Sequence, residues 1–198
     1  MKTLTLEGTL RKEVGKKNVS DLRRNGFVPC NLYGGKANVN FCAPYNSFLK
    51  LVYNPDFFKV NVTVEGNSYE ALIKEIQFNP VNERIEHIDF LELVPGKKVI
   101  AEVPLKLVGQ SEGVKAGGKL VQKMRKVKIK ATPENLTESV EINIENLALG
   151  KSLYIRDIVT NNIEIINTPE IPVVSVEITR SLKSAEAEAK KADVAKKK

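Results

Sequence analysis

Apolar and polar positions alternate along several short stretches in the first half of the chain, a pattern typical of half-buried β-strands. In the first stretch, Leu4 and Leu6 share one side while Thr3 and Thr5 take the other. Turns rich in Gly, Asn and Pro separate the stretches. The predicted strands are Thr3–Leu10, Pro29–Tyr33, Phe57–Val64, Ser68–Phe78 and Ile85–Leu93.

Two stretches with helical spacing interrupt these strands. The first covers Lys16–Gly26, where we expect Asn18 or Ser20 to cap the start and Gly26 to end the helix. The second follows Pro44 and ends at Asn54-Pro55, with Phe48, Leu51 and Val52 recurring at helical intervals. Short strands with two short helices predict a small β-barrel.

Pro95-Gly96 is the only Pro-Gly pair in the chain and predicts a domain boundary. Beyond it, β-branched alternation predicts strands over Val99–Val108, Lys126–Ala131, Val140–Ile144 and Ile171–Ile178, with loops over 110–118 and 146–150. The predicted fold class is mainly β with a few short helices (α+β). Its parts are a barrel domain over 1–94, a β-sandwich-like domain over 95–178, and an Ala/Glu/Lys-rich tail over 179–198 that is a frayed helix or disordered.

Composition narrows the function classes. The chain has 198 residues and a formal net charge of +7. Its first 50 residues carry nine basic and three acidic residues, so the positive charge is local. No window approaches the roughly 18 consecutive apolar residues of a membrane helix, and the first residues lack a signal-peptide core. We expect a soluble, unexported protein without membrane contact, with Cys30 and Cys42 as reduced thiols.

The single histidine lies in a predicted strand, where side chains two residues apart share a face. His87 and Asp89 therefore face outward together, while Ile88 and Phe90 face the core. The pair is compatible with a catalytic dyad, a metal half-site, a surface that contacts base edges, or a surface histidine satisfied by its neighbour. No Ser or Cys in a nucleophile context and no further metal ligands accompany it, so neither enzyme, metal nor cofactor is predicted.

Basic residues cluster near the predicted first helix. Lys16, Lys17, Arg23 and Arg24 lie on it or beside it, and Arg11 precedes it. Two interpretations stand, a phosphate-binding patch and a solvated helix surface. Tyr33, before Gly34-Gly35, is either a packing aromatic or a hydroxyl available to a ribose 2′-hydroxyl.

Five ordered motifs make the chain resemble a known family. They are Arg11-Lys12-Glu13-Val14-Gly15-Lys16, Leu22-Arg23-Arg24-Asn25-Gly26-Phe27-Val28-Pro29, Leu32-Tyr33-Gly34-Gly35, Ile76-Gln77-Phe78-Asn79-Pro80 and His87-Ile88-Asp89-Phe90. This order resembles the bacterial large-subunit ribosomal protein L twenty-five family. The run Val103-Pro104-Leu105-Lys106-Leu107-Val108-Gly109 is similar to the second domain of its longer, two-domain CTC (general stress protein) form.

The resemblance implies a cytoplasmic, ribosome-associated protein whose N-terminal barrel binds 5S ribosomal RNA around its loop E region. The implied partners are 5S rRNA and the large ribosomal subunit. Neighbouring 23S rRNA or ribosomal proteins are possible partners of the C-terminal domain. We expect the protein to be a monomer within the ribosome. It places RNA contacts at Arg11, Lys16, Arg23, Tyr33, Gln77, His87 and Asp89.

The sequence departs from the family pattern at Ser20, Asp21, Phe78 and Asn79, where two Arg positions and a His are lost. We expect Lys17 or Arg24 to replace the lost phosphate contacts.

In the second domain, a lysine-rich stretch without acidic residues lies between Gly113 and Pro133. It suits either contact with another rRNA segment or a solvated loop and strand edge. The alternative function is a stress-induced ribosome-associated or assembly factor that binds 5S rRNA transiently. Stoichiometric retention on washed ribosomes distinguishes the two.

Overall fold

Six strands and two helices form the first half of the chain. The computed structural model describes residues 1–13, 15–35, 37–160 and 163–179, so the predicted tail lies outside the described residues. The elements are β1 (Thr3–Leu10), α1 (Lys16–Arg24), β2 (Phe27–Tyr33), β3 (Val39–Pro44), α2 (Tyr45–Val52), β4 (Lys59–Val64), β5 (Asn67–Phe78) and β6 (Ile85–Glu92).

These strands close into a barrel in the order β1-β3-β2-β6-β5-β4. Closure comes from parallel pairing of β1 with β4, from Thr3 opposite Lys59 to Gly8 opposite Val64. The interior holds one apolar cluster, and its largest members include Phe41, Phe48 and Phe90. Gly8 in β1 leaves room for the Phe41 ring, because an added Cβ would lie 2.6 Å from the ring carbon Cδ2. The predicted small barrel is confirmed.

One local prediction for this half was wrong. Helix α1 begins at Lys16 after Gly15, so Asn18 and Ser20 lie inside it and no side chain caps its start. The predicted stop at Gly26 agrees with the structure, because the helix ends at Arg24 and Gly26, next after the C-cap Asn25, has a φ of 80° that suits only glycine well.

Strand β3 was absent from the prediction because it does not alternate. Phe41, Cys42 and Ala43 are all buried. Phe41 and Ala43 belong to the core cluster. Cys42 lies between Thr9 of β1 and Pro29 of β2 in the sheet register, and its Sγ is 3.0 Å from the Thr9 hydroxyl. A strand covered on both sides carries no period-two signal.

The second half is also mainly strand. Its elements are β7 (Val99–Val108), α3 (Glu112–Lys115), β8 (Lys119–Gln122), β9 (Lys126–Ala131), the 3₁₀ turn η1 (Pro133–Asn135), β10 (Val140–Asn143), β11 (Ser152–Tyr154), the 3₁₀ turn η2 (Ile155–Asp157), β12 (Glu164–Ile165) and β13 (Pro172–Glu177). They form a four-stranded sheet, β10-β7-β9-β12, and a three-stranded sheet, β11-β13-β8. The predicted mainly-β, two-domain fold class is confirmed. The short elements β8, β11, β12 and α3 were missed, and α3 lies within the predicted loop over 110–118.

The chain divides into two compact units, residues 1–101 with 130–138, and residues 102–129 with the described residues from Ser139 onward. The first unit includes residues 95–101, so the boundary at residue 94 stays a prediction. Within the described part of the chain, no helix is long and apolar enough to cross a membrane.

Candidate nucleic-acid interface

Strand β6 places His87 and Asp89 together on the outside of the barrel, as predicted. Ile88 and Phe90, between and after them, are fully buried. His87 Nδ1 lies 3.2 Å from Asp89 Oδ1, and their side chains are 19% and 23% exposed. The pair is therefore oriented by its own contact and is still reachable from solvent.

The imidazole of His87 is held neutral by its surroundings. Burial lowers its pKa, the carboxylate of Asp89 opposes that effect, and the positive charges of Arg23 and Arg11 lower the pKa further. The neutral ring offers one nitrogen as a hydrogen-bond donor and the other as an acceptor.

The neighbouring strands extend this polar surface. In the sheet register, Gln77 of β5 lies opposite His87, and Glu75 of β5 and Asn31 of β2 lie beside Asp89. Burial first, and then the charges of Asp89 and Glu75, raise the pKa of the Tyr33 hydroxyl, which stays protonated as a donor and acceptor. We call this surface the strand face, formed by Asn31, Tyr33, Glu75, Gln77, His87 and Asp89.

Two arginines flank the strand face. Arg23 of α1 donates from Nε and Nη2 to the backbone carbonyl oxygen of Glu86, at 3.1 and 3.0 Å. This contact fastens α1 to the start of β6, one residue before His87. Arg11 follows β1, and its backbone N–H donates to the Asn40 carbonyl at 2.8 Å. Its Nε is buried and has no hydrogen-bond partner among the described residues.

A groove of about 700 Å³ lies on the other side of Arg23. Its cations are Lys16, Arg23 and Arg24 from α1 and Arg84 from the turn before β6, and its one carboxylate is that of Glu86. Uncharged polar, aromatic and aliphatic residues complete the lining. We call it the basic groove, and its uncharged polar and aromatic members are Ser20, Asn25, Phe27, Tyr45, Asn46, Asn79 and Asn82.

The structure thus divides the predicted site residues into two neighbouring groups. Tyr33, Gln77, His87 and Asp89 lie on the strand face, with Arg11 close enough to affect the charge of His87. Lys16 and Arg24 line the basic groove, and Arg23 belongs to both places. Lys17 is exposed on α1 and lies outside the lining of the groove.

Two of the positions that depart from the family pattern are engaged inside the protein. The side-chain oxygen of Asn79 accepts from the backbone N–H groups of Val81 and Asn82, and its Nδ2 donates to Glu86 Oε1 at 2.8 Å. Asp21 lies 3.7 Å from Arg24 Nη1. Asn79 therefore shapes the turn before β6.

Sequence reasoning missed several lining residues. Asn31 and Glu75 share the outward positions of their strands with Tyr33 and Gln77, so strand alternation could have indicated them. Arg84 is a lone cation next to a strand, and Glu86 contributes through a backbone carbonyl, for which the sequence carries no signal.

No three or more His, Cys, Asp or Glu side chains are arranged to hold a metal ion within the described ranges. Cys30 and Cys42 are free thiols buried in the barrel, and burial raises the pKa of Cys30.

Comparison with known proteins covers both halves of the chain. Residues 6–90 match the ribosomal L25p family, and residues 98–180 match the C-terminal domain of ribosomal protein TL5. The chain is similar to large ribosomal subunit protein bL25 from Azobacteroides pseudotrichonymphae, 44% identical over 93% of this chain and 98% of that protein. The bL25 proteins of Porphyromonas gingivalis and Cytophaga hutchinsonii are 43% and 42% identical, over 93% and 96% of this chain and 97% and 100% of their own lengths.

Proposed function

Because the chain belongs to the ribosomal L25p family, in its long form with a TL5-type C-terminal domain, we propose that its barrel binds 5S ribosomal RNA at the loop E region. Membership makes the chain a structural component of the large ribosomal subunit in the bacterial cytoplasm, and not an enzyme. Beyond family membership, we propose which RNA the chain binds and which residues contact it.

The His87–Asp89 pair carries this proposal. Double-helical RNA presents a wide, shallow minor groove with base edges and 2′-hydroxyls, which an outward strand surface can meet. Asp89 accepts hydrogen bonds and repels phosphate, so it selects exposed amino or imino groups of bases. The Nδ1 atom of His87 lies 3.2 Å from Asp89 Oδ1, and the neutral ring offers one donor and one acceptor to a base edge. These two residues serve specificity.

Tyr33 and Gln77 extend the same contact. The Tyr33 hydroxyl stays protonated, so it can donate to or accept from a ribose 2′-hydroxyl. The amide of Gln77 lies opposite His87 in the sheet register and offers both a donor and an acceptor.

The flanking cations serve affinity. Arg11 lies close enough to the strand face for its charge to lower the pKa of His87. Arg23 donates from Nε and Nη2 to the Glu86 carbonyl, and its remaining N–H groups are available to a phosphate. It therefore positions α1 and also binds phosphate. Lys16, Lys17 and Arg24 add positive charge on α1. Each neutralised phosphate releases counterions, so this part of the binding weakens with salt.

A filter-binding titration of the full chain against 5S rRNA and a size-matched control RNA, at about 50 and about 200 mM salt, tests the proposal. We expect tight binding to 5S rRNA that persists at the higher salt, and weak binding to the control that is lost. Equal, salt-sensitive binding to both RNAs would refute specific recognition and leave only a basic ribosomal protein.

A further inference from the structure

We propose that the basic groove holds a nucleotide that is unpaired in the bound RNA, next to the paired segment that the strand face contacts. This inference deepens the proposed function and rests on it. It assigns a second kind of RNA contact to the surface next to the His87–Asp89 pair. This contact is with single-stranded RNA, whereas the strand face contacts double-helical RNA.

The shape of the groove supports this assignment. The strand face is the outside of a barrel, which suits a shallow duplex groove. The basic groove is instead a hollow of about 700 Å³ between α1, the start of α2 and the turn before β6. Paired bases are stacked inside a helix and cannot enter such a hollow, whereas an unstacked nucleotide can.

The charges of the groove suit a phosphate. Lys16, Arg23 and Arg24 stand on α1, and Arg84 contributes from the turn before β6. The only lining carboxylate is that of Glu86, and the Asn79 amide already donates to it at 2.8 Å. A phosphate in the groove therefore meets four cations, of which Arg24 also lies 3.7 Å from Asp21, and one carboxylate that is already hydrogen-bonded.

The remaining lining suits a base. Asn46 at the start of α2 is exposed, and its amide offers a donor and an acceptor to a base edge. The Tyr45 ring contributes an aromatic surface, and its hydroxyl lies 3.3 Å from that of Tyr53, a contact that fixes the orientation of the ring. Aromatic rings bind unpaired bases by stacking, largely without regard to sequence.

The groove and the strand face are joined through one backbone group. The Glu86 carbonyl that receives both donors of Arg23 immediately precedes His87 in β6. RNA bound at His87 therefore places its flanking nucleotides at the mouth of the groove. A nucleotide extruded beside the paired segment needs no long linker to reach it.

Chemical probing of 5S rRNA tests this inference. We would measure acylation of the RNA 2′-hydroxyls, free and bound to the full chain, alongside the Kd. The groove variants are Arg84→Gln and Asn46→Ala, both at exposed positions that leave the apolar core unchanged. Lys50→Gln removes an exposed cation of α2 outside the groove lining and is the matched control.

With the wild-type chain we expect one or a few unpaired nucleotides next to the paired segment to lose their reactivity. Arg84→Gln and Asn46→Ala should restore reactivity at the unpaired nucleotides only and weaken binding by about three- to tenfold. Lys50→Gln should change neither. A specific 5S complex in which every unpaired nucleotide stays as reactive as in the free RNA would overturn the groove inference alone. The same holds if the groove variants and Lys50→Gln behave alike. Absence of any specific 5S complex would overturn the proposed function as well.

Discussion

The strand face of the barrel and the outer surface of the four-stranded sheet in the second unit follow the same alternation rule with different electrostatic results. In β6, Ile88 and Phe90 are buried while His87 and Asp89 face outward. In β9, Val127 and Ile129 are buried while Lys126 and Lys128 face outward. Sequence alone makes the second surface the more basic of the two.

The neighbouring strands remove much of that difference. Lys128 Nζ lies 3.6 Å from Glu102 Oε1 of β7, and Lys106 of β7 pairs in register with Glu141 of β10. Strand β9 also lies between β7 and β12, so its lysines do not protect a sheet edge. Around His87, by contrast, the helix α1 adds cations from outside the sheet. Lysine density along the chain is therefore a poor indicator of an anion-binding surface unless the partner strands are known.

The largest expected effect comes from changing the acceptor on the strand face. Asp89→Asn keeps the shape of the side chain but replaces an acceptor-only group with an amide that also donates. We expect the binding free energy for 5S rRNA to weaken by roughly 1 to 3 kcal/mol, with binding to a control RNA unchanged. Parallel titrations with both RNAs measure the difference.

The matched control is Glu7→Gln, which removes an exposed carboxylate from β1 of the same barrel. It should leave both affinities unchanged within about twofold. Equal weakening of both RNAs by Asp89→Asn would show that this carboxylate maintains the barrel surface and does not discriminate between RNAs.

Much of this comparison was accessible from the sequence. The outward placement of His87 and Asp89 followed from the two-residue period of a strand, and strand β1 was predicted with its observed bounds, Thr3–Leu10. The resemblance to a ribosomal family gave four of the six residues of the strand face and left out Asn31 and Glu75. These features depend on local order along the chain, which the sequence records directly.

The remainder depends on contacts between distant residues. Arg23 lies 63 positions from the Glu86 carbonyl that it holds, and no pattern marks a backbone oxygen as its partner. Lys128 and Glu102 meet only because β9 and β7 are neighbours in the sheet. Asn79 stands where the family pattern has an RNA-contacting residue, but its side-chain oxygen accepts a hydrogen bond within the turn before β6. Charge pairing across a sheet needs the strand order, which short strands leave underdetermined.

A smaller effect is expected from pH on the free energy of unfolding, and it should appear in the barrel alone. His87, the only histidine of the chain, has a pKa below its ordinary value of 6.5 in the folded state, chiefly through burial. Between that lowered pKa and 6.5 the unfolded chain binds more protons than the folded one. The free energy of unfolding therefore falls as pH drops through this window and is constant, for this group, above it.

Denaturant unfolding at about pH 7.5 and about pH 5.5 measures this, with His87→Gln as the reference. We expect the wild type to lose more stability on acidification than His87→Gln does. Hydrogen exchange should locate the loss in the barrel strands. An equal pH response of the two proteins would mean that the carboxylates near His87 offset its burial completely.

The smallest expected effect is that of removing every residue after Val94. Every residue of the barrel core cluster lies between Leu4 and Phe90, so a chain ending at Val94 keeps the whole cluster, the strand face and the basic groove. We expect this fragment to fold cooperatively and to bind 5S rRNA with a Kd within about threefold of the full chain. Circular dichroism on heating and the same filter-binding titration measure the two properties.

The two ways in which this expectation can fail have different meanings. A folded fragment that binds more than about tenfold more weakly would show that the lysines of the second unit contact RNA despite their paired glutamates, which would end the contrast drawn above. A fragment that does not fold would show that residues 95–101 and 130–138, which belong to the first compact unit, complete the barrel. In that case the domain boundary lies beyond residue 94, while the contrast between the two surfaces stands, since it rests on their local charge pairing.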